Sequence, residues 1–150
     1  LLVLPLRADY FILFDFAHAP IPKPDLHQYY TDWPSGLGVS QAVAFFKKES
    51  EKGKIYIGTQ GTFGLMPYAL EIFLVDNSNI TIKGFWPIEP LLPKELEDAR
   101  KKYPTYFVAY QPCLSCLQKG IAPSTWPLKI VFQAQKGEAD ALFTVYQVTP

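Results

Sequence analysis

Apolar positions between residues 39 and 50 recur at helical spacing. Val39, Ala42, Val43 and Phe46 fall at i, i+3, i+4 and i+7, which places them on one helix face. Ser40 is expected to cap the start of this helix, and Gly53 to end it after a charged last turn. The pattern then changes to KIYIGT (54–59), rich in β-branched and aromatic residues, which predicts a buried strand. Leu65 to Val75 reads as a second helix with one charged residue, Glu71, and with Pro67 in its first turn, where a missing N–H costs nothing. Being apolar on nearly all sides, this helix is expected to be buried on two faces. It is also too short to span a bilayer, which takes about 20 residues.

DNSN (76–79) turns the chain into a second strand, ITIKGFW. PKELEDARKKYP is a polar third helix, with a proline at its start and another past its end, and TYFVAY is a third strand. LKIVFQAQ and ALFTVYQV, linked through KGEAD, read as a β-hairpin. Strands that alternate with helices run parallel, joined by crossovers. The expected fold is therefore α/β: a single three-layer, Rossmann-like domain whose mostly parallel sheet carries a C-terminal antiparallel β-hairpin at one edge. Its expected parts are an αβαβαβ core over 39–112, a loop over 113–127 and the hairpin over 128–150. Residues 1–38 are expected to be irregular. Within them, 17–38 hold four prolines and two glycines and follow no period, and structureless loops of that length are usually functional or packed against something.

The chain opens LLVLPLRADYFILFDF. Pro5, Arg7, Asp9 and Asp15 interrupt this stretch, so it is not a membrane span, and it lacks the basic start and small-residue cleavage site of a signal peptide. Two readings remain open: the start of a fragment that follows a membrane segment, or a buried N-terminal strand. One hundred and fifty residues suffice for a real core. Fourteen basic residues balance fourteen acidic ones, so no overall field draws nucleic acid, and no nucleic-acid partner is expected.

Gly58, Gly61 and Gly64 stand three apart between a strand and a helix, at the carboxyl end of a parallel sheet, where α/β folds bind ligands. The spacing is neither the dinucleotide fingerprint nor a P-loop. Either the glycines permit a tight turn and close packing, or the turn, with Thr62, contacts a sugar or phosphate. Asp25, His27, Gln28, Tyr29, Asp32 and Trp33 crowd another segment. They either grip a sugar by hydrogen bonding and stacking or pin the loop. Each tryptophan, Trp33, Trp86 and Trp126, precedes a proline and sits on stiff backbone, as a sugar platform or as a core plug. Cys113 and Cys116 form a disulfide, remain a free pair, or bind metal with His18 and His27; neither metal nor cofactor is expected. No serine lies in a nucleophile elbow.

D-x-x-Q-Y (Asp25, Gln28, Tyr29), W-x-S-G-x-G (Trp33, Ser35, Gly36, Gly38) and G-T-x-G-T-F-G (58–64) follow one another here. Over about residues 9 to 110 this sequence resembles the C-terminal extracytoplasmic part of polytopic membrane glycosyltransferases related to the dolichyl-phosphate-mannose protein mannosyltransferases. The resemblance implies a soluble domain on the outer face of the cytoplasmic membrane, belonging to an enzyme that moves a sugar from a polyprenyl-phosphate carrier to an acceptor. The catalytic acid would lie among membrane helices outside these residues, so the chain alone is expected to be inactive and none of its residues catalytic. Its partner would be the membrane-embedded domain of the same longer chain, with a glycan or lipid-linked sugar as a further candidate. Asp25, Gln28, Tyr29, Trp33, Gly36, Gly58, Gly61, Thr62 and Gly64 are the candidate ligand-binding residues. The alternatives are a free-standing α/β module that binds a sugar or phosphate, and a small hydrolase using Asp25 and Asp32.

Overall fold

The computed structural model describes residues 3–31, 35–110, 125–135 and 142–150. Its first element is α1 (Val3–Phe14), where neither an irregular segment nor a buried strand was found. Helical spacing brings aromatic and cationic side chains together there: the Arg7 guanidinium lies 5.7 Å from the Phe11 ring, and Tyr10 lies 5.5 Å from Phe14. Pro5 falls in the first turn, where it is tolerated. The unperiodic stretch that follows folds into short helical turns: Phe16–His18, α2 (Lys23–Leu26) and a wide turn over His27–Thr31.

Helix α3 (Val39–Ser50) buries Val39, Ala42, Val43 and Phe46, the face read from spacing. Its cap differs from the expectation. Gly38, at φ +89°, precedes the helix without a side-chain cap, and Ser40 lies inside it. A Cβ on Gly38 would come within 2.8 Å of Phe143, so close packing there requires glycine. β1 (Ile55–Gln60), α4 (Tyr68–Leu74), β2 (Ile80–Phe85), α5 (Lys94–Arg100), β3 (Thr105–Tyr110), β4 (Leu128–Gln135) and β5 (Leu142–Val148) complete the order.

The strands form one mixed sheet in the order β2-β1-β3-β5-β4. β1 pairs parallel with both β2 and β3, β5 runs antiparallel to β3, and β4 antiparallel to β5. All strands but β5 therefore point the same way. The α/β class with a largely one-directional sheet and antiparallel strands at one edge is as expected. Alternation along the strands divides the core between the two faces. Ile55, Ile57, Tyr106, Val108, Phe143 and Val145 meet α3 and α4 on one side. Phe107, Ala109 and Val148 meet Leu96 and Trp126 on the other.

One expectation fails within the described core. Helix α4 is not buried on two faces. Leu70 and Leu74 are buried, whereas Tyr68, Ile72, Phe73 and the following Val75 lie open. Among the described residues, α4 packs against the sheet and α3, and its apolar outer stripe is left exposed.

A candidate binding groove beside the glycine turn

The glycine turn lies where expected, at the carboxyl ends of β1 and β2. The Gly61 N–H donates to the Phe85 carbonyl at 2.8 Å, which ties the turn to the end of β2. Gly61 has φ +99°, a conformation that L side chains rarely adopt. A Cβ on Gly58 would stand 2.9 Å from Leu96 and 3.1 Å from Phe85, so this glycine lets α5 approach the sheet. Gly84 does the same for the turn itself, because a Cβ there would fall 2.2 Å from the Gly61 carbonyl oxygen. Sequence reading missed Gly84; its only signal was a glycine inside a strand, which marks a close backbone approach. Gly58, Gly61 and Gly84 thus perform the packing role. Thr62, Phe63 and Gly64 form the exposed tip of the turn.

The other candidates lie elsewhere. Asp25, Gln28 and Tyr29 are exposed on the short helical segments ahead of the sheet. Among the described residues, no hydrogen bond or ring contact joins them to the glycine turn. Loop pinning in this region falls to Ser35, which is buried; its hydroxyl donates to the Tyr30 carbonyl at 2.9 Å and accepts from the Leu37 N–H at 3.3 Å. Gly36 is exposed with open space around its Cα. Trp33, Asp32, Cys113 and Cys116 lie outside the described residues. Among those described, no group of three or more His, Cys, Asp or Glu is arranged to hold a metal, and no helix is long and apolar enough to cross a membrane.

Next to the turn, an open groove of about 410 Å³ runs between the end of β2 and the start of α5. Thr62, Gly84, Phe85, Trp86, Pro87 and Pro93 line it, with Lys83, Lys94, Glu89 and Glu95. Lys83 and Glu95 meet across it at 2.5 Å. This pair is half-exposed, so it orients side chains more than it stabilises the fold. The Glu95 hydrogen bond holds the Lys83 ammonium above the usual lysine range. Beneath the pair, burial first and Glu95 second push the Tyr56 phenol up.

The loop over 86–93 that walls the groove is anchored from below. Trp126 is 4 % exposed, packs edge-on to Phe107 at 5.0 Å, and donates its indole N–H to the Glu89 carbonyl at 3.2 Å. The Thr125 hydroxyl donates to the Pro90 carbonyl at 2.5 Å. Ile88 and Leu92 pack into the same cluster as Trp126. Trp86 in the same loop is 51 % exposed. Of the two described tryptophans, then, one is a core plug and the other stands at the groove. Neither the Lys83–Glu95 pair nor the groove was visible in the sequence, because the partners are twelve residues apart on different elements.

No family model, curated protein or solved structure matches this chain.

Proposed function

We propose that this chain is the soluble extracytoplasmic domain of a membrane glycosyltransferase that moves a sugar from a polyprenyl-phosphate carrier to an acceptor, with the catalytic group on the membrane-embedded part of the same longer protein. The supporting observation is the apolar stripe of Tyr68 and Ile72 on α4 and Val75 just after it, spaced i, i+4, i+7 and open to water although Leu70 and Leu74 are buried. Contiguous apolar surface of this kind marks an interaction site. On α1, Leu6, Tyr10, Leu13 and Phe14 repeat the spacing and the exposure. Both stripes suit packing against a membrane domain at the outer face of the cytoplasmic membrane. The order of the three sequence motifs that resemble the transferases supports the same reading.

With this goes a finer reading of the fold. The two buried clusters on opposite faces support a three-layer, Rossmann-like arrangement, and the antiparallel register of β4 with β5 supports a C-terminal hairpin. The second reading, a free-standing α/β module that binds a sugar, draws on the groove at Trp86.

The test is the genomic reading frame upstream of Leu1, followed by a transfer assay. The glycosyltransferase reading expects many apolar segments upstream, transfer by the whole protein and none by this chain alone. Ile72→Asp with Val75→Asp should lower transfer by the whole protein while this chain stays folded. A start codon immediately before Leu1, or unaided transfer by the 150-residue chain, would overturn the proposal.

A further inference from the structure

We infer that the groove beside the glycine turn is a subsite for a neutral pyranose ring, stacked on Trp86 and hydrogen-bonded by Lys83, Glu95 and Thr62. In the loop over 86–93, Ile88 and Leu92 enter the core and Trp126 clamps the backbone from beneath, yet the largest side chain of the loop, Trp86, stays half in water at the groove. A wide aromatic face on an anchored loop stacks at little entropic cost.

The charges around it select the kind of ligand. Lys83 and Lys94 are offset by Glu89 and Glu95, so the groove has no net field to favour a phosphate or another anion. It offers ammonium donors and carboxylate acceptors side by side instead, with the Lys83–Glu95 contact keeping two of them in register. A pyranose suits that mixture. One face of the ring is a patch of C–H groups that lies flat on an indole, while its hydroxyls both donate and accept at the rim. The volume of about 410 Å³ falls within the range of small-molecule sites. The location, outside the carboxyl ends of parallel strands β1 and β2, is where such folds gather ligands.

This inference does not depend on the transferase reading: such a subsite would serve an acceptor glycan in a transferase or a ligand in a free-standing module. The test uses the purified chain and a panel of neutral hexasaccharides of α- and β-linked glucose, mannose and galactose, with inorganic phosphate as the anion arm. The readout is the indole N–H resonance of Trp86 in nitrogen–proton NMR spectra, with that of buried Trp126 as internal control. At least one oligosaccharide is expected to shift Trp86 selectively, with a Kd of roughly millimolar order for one stacked ring. Followed through the backbone amide resonances of Thr62 and Gly84, which line the groove, Trp86→Ala should weaken binding about tenfold or more, and Glu95→Gln severalfold, with the core resonances of Val145 and Phe107 unmoved. No shift of Trp86 by any sugar up to its solubility, a stronger shift by phosphate, or undiminished binding by both variants would each overturn the assignment. Failure here leaves the upstream reading frame to decide the transferase question separately.

Discussion

At the scale of single residues, the glycines do different things, and their spacing does not say which. Gly84 is held by distance alone: the atom any other residue would add lies 2.2 Å from a backbone oxygen that cannot swing away. Gly84→Ala should therefore lose about 3 kcal/mol of stability, the upper part of the overpacking range. Gly36 has no such neighbour within 4 Å. Gly36→Ala should leave stability unchanged or raise it by up to ~1 kcal/mol, by restricting the unfolded chain. Urea midpoints of the two variants check the contrast, and equal losses would contradict the geometry. The three-residue beat of Gly58, Gly61 and Gly64 drew attention to the turn correctly. The constraint that shapes the turn comes from Gly84, on the next strand, and a local pattern carries no trace of a partner brought in by folding.

At the scale of elements, apolar spacing located the helices but did not say what covers them. The reading of α3 succeeded because its apolar face is narrow and its polar face is charged, so only one orientation satisfies both. α4 has no polar face. Its composition implied burial on both sides, but one side has no partner within the described residues. The two sides should respond differently to substitution. Leu70→Ala removes a fully buried side chain between α4 and the sheet, and is expected to cost about 2–5 kcal/mol. Ile72→Asp, on the stripe 70 % exposed, is expected to stay within about 0.5 kcal/mol of the parent and to reduce self-association of the isolated chain. Chemical denaturation and sedimentation measure the two effects. A large loss at Ile72 would mean that the stripe is packed within this chain after all. The short helical turns over 16–31 escaped prediction for a related reason: prolines at 20, 22 and 24 rule out a long helix but say little about single turns.

At the scale of the whole molecule, alternating helical and extended segments were enough to foresee the parallel strands, since strands joined by crossovers must run the same way. They did not reveal which residues would meet across strands and helices, and so the groove that joins Lys83 to Glu95 stayed hidden. The strand order places β3 in the middle, and all six of its residues are buried. Two tyrosines on one face of that strand, Tyr106 and Tyr110, are consequently dry. Burial pushes both phenols above the usual tyrosine value, and for Tyr106 the hydrogen bond it donates to the Glu49 carboxylate at 3.1 Å pushes further. An acid whose folded value is raised keeps its proton in the native state after the unfolded chain has lost it. The stability it contributes is thus complete below the unfolded value, about 10, and is lost as pH rises beyond it. Each such phenol adds a slope of up to about 1.4 kcal/mol per pH unit, and Tyr56 and Tyr146, which burial also raises, add in the same sense above pH 10. Urea midpoints should be flat just below pH 10 and fall steeply above it, with phenolate absorbance from these two residues appearing only on unfolding. Tyr106→Phe should make the fall shallower by up to about 1.4 kcal/mol per pH unit while Glu49 keeps its 2.7 Å contact with Lys52. Stability that holds level through pH 11, or phenolate that forms ahead of unfolding, would show that water reaches the middle of the sheet and that β3 is not its closed centre.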